Sequence, residues 1–172
     1  MVQTMEIRKA KEEDLGQIMR IYAAAREYMK RSGNPHQWGD SYPPEELIRE
    51  DIKNGVCRVI CEGDDIHGVF AVIEGEDPTY GYIEGKWQNA EPYVTIHRIA
   101  SGGTAHGIFK TAADYCNSLC GNVRIDTHKD NKTMQKLLDQ NGFIKCGVIY
   151  LLNGSPRIAY QRTKRKGETN EK

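Results

Sequence analysis

The stretch from residue 93 to residue 109, YVTIHRIASGGTAHGIF, contains a strand, a glycine turn and the beginning of a helix. Tyr93 to Ala100 is rich in β-branched and aromatic residues, which predicts a strand. From Ile108 onward, apolar residues recur at helical spacing and mark one face of a helix. Backbone N–H groups converge where a strand turns into a helix, and the helix dipole favours an anion there. The turn from Gly102 to Phe109 is therefore a candidate phosphate site.

Two common nucleotide-binding motifs do not fit this turn. Gly102 and Gly107 have the GxxxxG spacing of a P-loop, but Ile108 and Phe109 stand where Lys and Ser or Thr must contact phosphate and magnesium. The dinucleotide fingerprint GxGxxG is absent, because Gly102 and Gly103 are adjacent and Gly107 lies four residues on. The alternative that remains is a plain tight turn, in which Gly102 and Gly103 only supply positive φ angles.

The segments before this stretch predict two helices and three strands. The expected elements are a strand at Met5 to Ala10, a helix that ends at about Arg31, a helix from Pro44 to Asn54-Gly55, and strands at Val56 to Cys61 and Ile66 to Ile73. The sequence EGDD at residues 62–65 indicates a hairpin between the last two strands. Glu74 to Pro92 is irregular, and we expect a long loop or a broken strand there.

The segments after the glycine turn predict a strand, a short capped helix and a final strand pair. The expected elements are a strand at Asn122 to Thr127, a helix between Asp130-Asn131 and Asn141-Gly142, and strands at Phe143 to Leu152 and Arg157 to Gln161. We expect one domain over residues 1–163. A flexible charged tail should follow over residues 164–172, because this run has no apolar residue to bury.

The composition argues against several classes of protein. The 172 residues include 24 basic and 24 acidic side chains, so no global field attracts nucleic acid or anionic lipid. No apolar run is long enough for a signal peptide or a membrane span, which favours a cytoplasmic protein. The five cysteines lie in apolar patterns without the partners of a zinc site, so we expect reduced core thiols and no metal.

The order of these elements resembles the GNAT superfamily of N-acetyltransferases over residues 5–162. The family's turn has the form Gln/Arg-x-x-Gly-x-Gly/Ala; here Gly107 matches the first glycine, while Thr104 and Phe109 replace the long polar and second small residues. Further matches follow at Arg124 to His128, Asp130-Asn131, Met134, Leu137-Leu138 and Asn141-Gly142-Phe143. The resemblance implies an α/β (α+β) fold with a mixed, largely antiparallel twisted central sheet. About seven strands and about four flanking helices are expected, with a splay between the fourth and fifth strands.

The resemblance also implies acetyl-CoA as the acyl donor. The central strand would offer backbone groups of Ile99, Ala100 and Ser101 to pantetheine. The turn would bind the CoA pyrophosphate through Thr104, Ala105, His106, Gly107, Ile108 and Phe109. Asn131 would contact the pantetheine or the pyrophosphate end of CoA, and it can also be an ordinary helix cap.

In the family, a neutral amine attacks the thioester carbonyl directly, so no protein nucleophile is required. Leu138 occupies the position where many relatives have a tyrosine that protonates the leaving thiolate. Tyr150 on a neighbouring strand is a candidate replacement, although it can also be a packing residue. Glu84 and His97 are candidate bases, and a structural hydrogen bond is the alternative for His97. Backbone amides of the central strand are candidates for stabilising the oxyanion.

Polar and aromatic residues in two irregular segments are candidates for the acceptor site. The residues are Gln37, Trp38, Tyr42, Tyr80 and Trp87. In the family these segments form the acceptor cleft, but aromatic residues there can equally fill a gap beneath a loop. The expected acceptor is a primary amine of a small molecule or a peptide, and a homodimer is an option. A non-catalytic acyl-CoA sensor and an interaction domain that binds no CoA are the competing hypotheses.

Overall fold

The structure, a computed structural model, describes residues 4–164 of the chain. Its helices are α1 (Leu15–Arg31), α2 (Glu45–Lys53), α3 (Ile108–Leu119) and α4 (Lys132–Gln140). Its strands are β1 (Glu6–Lys9), β2 (Cys57–Glu62), β3 (Asp65–Glu74), β4 (Glu84–Gly85), β5 (Val94–Ser101), β6 (Asn122–Thr127), β7 (Ile144–Tyr150) and β8 (Pro156–Thr163). Short 3₁₀ turns occupy Glu12–Asp14 and Pro78–Tyr80. The charged tail predicted for residues 164–172 lies outside the described residues from residue 165 onward.

The eight strands form one sheet in the order β1-β2-β3-β5-β6-β8-β7-β4. The hairpin predicted between β2 and β3 is confirmed, because these strands pair antiparallel from Glu62 opposite Asp65 onward. Strands β6 and β8, β8 and β7, and β7 and β4 also pair antiparallel, whereas β5 and β6 pair parallel. The mixed, mostly antiparallel sheet and the four helices confirm the predicted fold class.

The sheet has one strand more than predicted. The additional strand, β4, lies in the irregular segment and pairs with β7 through Gly85 opposite Gly147. Glycine is required on both sides, because a Cβ on Gly85 would lie 2.2 Å from the Cys146 carbonyl oxygen. A Cβ on Gly147 would lie 2.2 Å from the Glu84 carbonyl oxygen. Two residues with a glycine among them carry no strand signal, which is why the sequence pattern indicated only a loop or broken strand.

The predicted splay next to β5 is confirmed by the strand register. In the described chain, β5 pairs with β6 through Val94 opposite Val123 and Thr95 opposite Arg124, although β5 continues to Ser101. The later part of β5 contains Arg98 with a φ of 51°, a left-handed value that is rare for a residue with a side chain. A regular strand cannot pass through this conformation, so β5 does not resume regular pairing with β6 after Thr95.

The described residues group into two compact units, and β5 contributes to both. The first unit contains residues 4–72 and 97–112, and the second contains residues 73–96 and 113–164. In the first unit, the amphipathic helix α1 buries Ile18, Ile21 and Tyr22 against β2 and β3. The cluster also includes Ala10, Ile48, Cys57, Val59, Cys61, Ile66, Val69 and Ala100. This apolar core anchors the later part of β5.

In the second unit, the long segment after β3 packs over the buried residues Ile149 and Ala159 through Tyr80 and Trp87. Polar contacts fix the same segment, because the Gln88 N–H donates to Gln161 Oε1 at 3.2 Å. The segment is therefore an integral part of the second core.

In the described part of the chain, all five cysteines are free thiols. None of the helices there combines the length and the apolar character of a membrane-spanning segment.

Candidate functional site

The glycine turn joins the end of β5 to the start of α3 within the first unit. The Gly102 N–H donates to the His67 carbonyl at 2.9 Å, and the Gly103 N–H donates to Ser101 Oγ at 3.1 Å. Gly103 and Gly107 have φ angles of 78° and 74°, in the left-handed region that favours glycine. Both are exposed, and no atom lies within 4 Å of where a Cβ would stand on either residue. The turn is thus pinned at its base and open on its outer side.

The first two side chains of α3 are buried, and Gly107 just before them is exposed. The Thr111 N–H donates to the Gly107 carbonyl at 2.9 Å, so the helical hydrogen bonds begin at Gly107. The side chains of Ile108 and Phe109 are 6% and 4% exposed, and a Cβ on Gly68 would lie 2.7 Å from Ile108 Cγ2. Ile108 therefore packs α3 against β3, and Phe109 is buried beside it in the chain. N–H groups in the first turn of a helix lie at the positive end of its dipole and suit an anion.

Thr104 lies in the turn and contacts His67, which in turn contacts Glu62. Its Oγ1 is 2.6 Å from His67 Nδ1, and His67 Nε2 is 3.1 Å from Glu62 Oε1. The sequence did not indicate His67 or Glu62, because their contact with the turn depends on which strand neighbours β5. The candidates Ala105 and His106 lie in the same turn, half-buried and exposed respectively.

The strained residue of β5 is held by two buried contacts. The Arg98 guanidinium makes two hydrogen bonds with Asp51, from Nε to Oδ2 at 2.8 Å and from Nη2 to Oδ1 at 2.9 Å. The Tyr22 hydroxyl donates to the Arg98 carbonyl at 2.7 Å. Burial disfavours the Arg98 cation, but Asp51, with a smaller contribution from Tyr42, more than offsets this, so the pKa of Arg98 lies above its ordinary value. The candidates His97 and Ile99, on either side, are half-buried.

Three acceptor-site candidates lie near Arg98 in the first unit, and we call the departure of β5 from extended backbone at Arg98 the bulge of β5. The Trp38 ring packs edge-on against Tyr22 with centroids 5.7 Å apart, and it lies 6.2 Å from the ring of Tyr42. Gln37 accepts a hydrogen bond from Asn34 Nδ2 at 2.8 Å, which holds the loop. Tyr42 is 39% exposed, so part of its ring is accessible to a ligand. The structure brings these candidates together beside Tyr22, the residue that contacts Arg98.

Solved structures share this architecture. A GNAT-family acetyltransferase from Streptococcus agalactiae is 35% identical to this chain, with a TM-score of 0.86, and the match covers 95% of this chain and 98% of the other. This chain belongs to the GNAT family of acetyltransferases. Membership confirms the predicted resemblance and supports acetyl transfer as the general chemistry.

More distant GNAT-like structures agree in fold alone. A GNAT-family acetyltransferase from Bacillus cereus has 21% identity and a TM-score of 0.59, over 94% of this chain and 98% of its own. An Arabidopsis thaliana protein in complex with the bisubstrate analogue CoA-Ac-MVNAL has 11% identity and a TM-score of 0.59, over 94% of this chain and 99% of its own. Searches against protein-family models and curated proteins find no match.

The second unit of this GNAT protein brings together two of the candidate catalytic residues. The Tyr150 hydroxyl donates to Glu84 Oε1 at 2.8 Å. The pairing of β4 with β7 explains this contact, because Glu84 is opposite Val148, and Tyr150 lies two residues on along the same face of β7. The hydrogen bond to Glu84 raises the pKa of Tyr150 above its ordinary value. Glu84 is exposed, so its carboxylate is open to solvent.

The other two acceptor-site candidates, Tyr80 and Trp87, lie inside the second unit. Tyr80 is 2% exposed, and its hydroxyl donates to Asp126 Oδ2 at 2.7 Å. The guanidinium of Arg124 stacks 4.0 Å from the ring of Trp87 and 4.0 Å from that of Tyr93. Burial lowers the pKa of Arg124. These contacts favour packing beneath the loop for Tyr80 and Trp87, the alternative that the sequence left open.

Two residues that the sequence singled out, Asn131 and Leu138, lie at the start of α4 and within it. Asn131 is the N-cap of α4, since its Oδ1 accepts from the Met134 N–H at 3.0 Å. Its cap role is confirmed, and its contact with CoA stays a prediction. Leu138 is 0% exposed, so α4 presents no titratable group at the position of the usual acid. Among residues 4–164, no group of three or more His, Cys, Asp or Glu side chains is arranged to hold a metal ion.

Proposed function

We propose that this protein transfers an acetyl group from acetyl-CoA to a primary amine of a small molecule or a peptide by direct attack. The observation that carries the proposal is the exposed glycine turn between β5 and the start of α3, in a chain that belongs to the GNAT family. An anion as large as the CoA pyrophosphate suits backbone N–H groups at the start of a helix. Thr104 adds a hydroxyl at the edge of this turn.

The central strand has a separate role in the proposed reaction. Backbone groups of Ile99, Ala100 and Ser101 bind the pantetheine, and an amide of this strand stabilises the oxyanion that forms on the thioester carbonyl. Backbone donors suit this role because they are fixed before the reaction begins. The bulge at Arg98 supports the assignment, since it frees this part of β5 from the regular ladder with β6.

Glu84 and Tyr150 form the proposed proton relay. The amine loses a proton to the Glu84 carboxylate, and Tyr150 gives its proton to the CoA thiolate as the carbon–sulfur bond breaks. The 2.8 Å hydrogen bond between them lets the proton on Glu84 pass to the Tyr150 oxygen, which restores both groups. The net result is one proton moved from amine to thiol. His97 is the second candidate base.

The proposed acceptor residues are Gln37, Trp38 and Tyr42. They are preferred to Tyr80 and Trp87, which are committed to contacts inside the second unit. The partly exposed ring of Tyr42 can provide an apolar surface for an acceptor chain. The reaction is tested by incubating acetyl-CoA with a panel of primary amines and peptides and measuring the release of free CoA thiol.

The phosphate turn is tested by a charge placed at Gly107, where nothing in the described chain lies within 4 Å of an added Cβ. Gly107→Asp should weaken CoA binding by at least about tenfold relative to Gly107→Asn, because both substitutions meet the same φ of 74° but only Asp repels phosphate. Isothermal calorimetry with CoA measures the difference. Pantetheine, which has no phosphate, should bind both variants equally. Equal CoA affinity for the two variants would contradict the assignment of the turn.

A second candidate function is an acyl-CoA sensor without turnover. The observation in its favour is the complete burial of Leu138, where many relatives carry the acid. Binding of acetyl-CoA with no CoA release on any amine would favour the sensor. The absence of any thermal shift with millimolar acetyl-CoA would contradict both functions and favour an interaction domain.

A further inference from the structure

The bulge of β5 depends on a residue that does not adopt its conformation easily. Arg98 has a φ of 51° and carries a full side chain, so its backbone is strained. Such a conformation persists only where neighbouring groups hold it. Glycine would adopt it without strain, so the presence of arginine requires an explanation from the side chain.

Two buried groups on different helices hold Arg98 in place. Asp51 of α2 binds the guanidinium through two oxygens, at 2.8 and 2.9 Å, and the side chains of Arg98 and Asp51 are only 12% and 8% exposed. Tyr22 of α1 is 1% exposed and donates to the Arg98 carbonyl at 2.7 Å. Burial raises the pKa of Tyr22 well above its ordinary value, so this hydroxyl remains a donor. The clamp, defined as Tyr22, Asp51 and Arg98, therefore fixes both the side chain and the carbonyl of one residue.

Fixing this carbonyl also fixes the next N–H group. The peptide unit is planar and trans, so the carbonyl of Arg98 and the N–H of Ile99 point in opposite directions from one rigid plane. A hydrogen bond received by the carbonyl also polarises the peptide and strengthens its N–H as a donor. Tyr22 thus acts on the Ile99 amide without touching it.

We propose that Tyr22 and Asp51 are positioning residues that aim the Ile99 N–H at the thioester carbonyl of the acyl donor. This inference rests on the proposed function, because it assigns the oxyanion donor to one amide of β5. The clamp keeps the donor oriented before the reaction, so no reorganisation is needed as charge develops on the oxygen. Arg98 contributes its backbone, and its guanidinium is committed to Asp51.

The test removes one hydroxyl and leaves the ring in place. Tyr22→Phe should lower kcat about tenfold, less than the loss of about 100-fold expected for deleting an oxyanion donor, because the Ile99 N–H remains. The affinity for CoA should stay within about twofold, since the phosphate turn is untouched. Tyr28→Phe is the matched control, because Tyr28 lies on the same helix and is 48% exposed. An unchanged kcat in Tyr22→Phe would overturn the proposal, as would an equal loss in the control.

A second measurement does not depend on turnover. Amide hydrogen exchange at residues 97–101 should be faster in Tyr22→Phe than in the wild-type protein and unchanged in Tyr28→Phe. A double variant, Asp51→Asn with Arg98→Gly, leaves no unpaired charge and lets glycine adopt the positive φ, and it should show the same faster exchange. Wild-type protein that releases no CoA with any amine would refute the proposed function alone. Unchanged exchange at residues 97–101 in Tyr22→Phe and in the double variant would refute the clamp.

Discussion

Two segments of the sheet depart from regular extended backbone, and the protein stabilises them by different means. At Arg98 in the first unit, a residue with a side chain has a positive φ and is held by buried contacts with Asp51 and Tyr22. In the second unit, Gly85 and Gly147 supply positive φ angles of 132° and 152°. Close by, the exposed Glu84 accepts a hydrogen bond from the half-buried Tyr150, and among the described residues no buried charge holds this pair in the way that Asp51 holds Arg98. The first site is therefore a backbone position fixed by the core, whereas the second is a pair of side chains open to solvent.

The largest expected effect comes from breaking the buried ion pair. Asp51→Ala leaves the Arg98 guanidinium buried without its carboxylate, and the free energy of unfolding should fall by about 3–5 kcal/mol. Urea denaturation measures this change. Glu84→Ala is the matched control from the second unit and should lower the free energy of unfolding by less than about 1 kcal/mol, because Glu84 is exposed. Similar losses in the two variants would remove the contrast between the sites.

The next effect is on turnover rather than stability. Tyr150→Phe keeps the ring but removes the proposed acid, so kcat should fall by about 100-fold while the free energy of unfolding changes by less than about 1 kcal/mol. Tyr82→Phe is the control, because its ring lies 6.4 Å from that of Tyr150 and its side chain is 66% exposed. Steady-state kinetics at saturating acetyl-CoA measures the rates. Equal rates for Tyr150→Phe and wild type would show that Tyr150 is not the acid.

The smallest effect concerns the glycine contact that supports β4. Gly147→Ala places a methyl group 2.2 Å from the Glu84 carbonyl oxygen, and strand β4 must shift. The free energy of unfolding should fall by about 1–3 kcal/mol. Gly154→Ala is the control, since its φ is also positive, at 85°, but nothing lies within 4 Å of its added Cβ. The difference between the two variants in urea denaturation isolates the contact, and no difference would show that β4 adapts freely.

Local signals were sufficient to predict most of the fold. The apolar spacing after Ile108, the glycine turn before it and the cap at Asn131 are encoded within a few residues, so α3, the turn and α4 were placed correctly. The register of the sheet is not encoded in this way. For the segment that contains β4, the sequence predicts only a long loop or a broken strand, because the two residues of β4 include a glycine whose partner is more than sixty residues away in sequence.

The candidate site was harder to predict because its contacts are distant in sequence. Tyr22 is 76 residues from Arg98, and Asp51 is 47 residues from it. A tyrosine on the apolar face of α1 resembles any core residue in a sequence, so periodicity could not reveal its hydroxyl contact. By contrast, Glu84 and Tyr150 were both singled out from the sequence, and the structure shows that they are hydrogen-bonded. Their catalytic roles stay predictions.

The distribution of tryptophan gives each compact unit its own optical reporter. The chain has two tryptophans: Trp38 packs against Tyr22 in the first unit, and Trp87 stacks with Arg124 in the second. A cation over an indole ring and an aromatic neighbour at its edge provide different electrostatic surroundings. Fluorescence from variants that retain only one indole therefore follows the loss of structure around either core separately, without an added label.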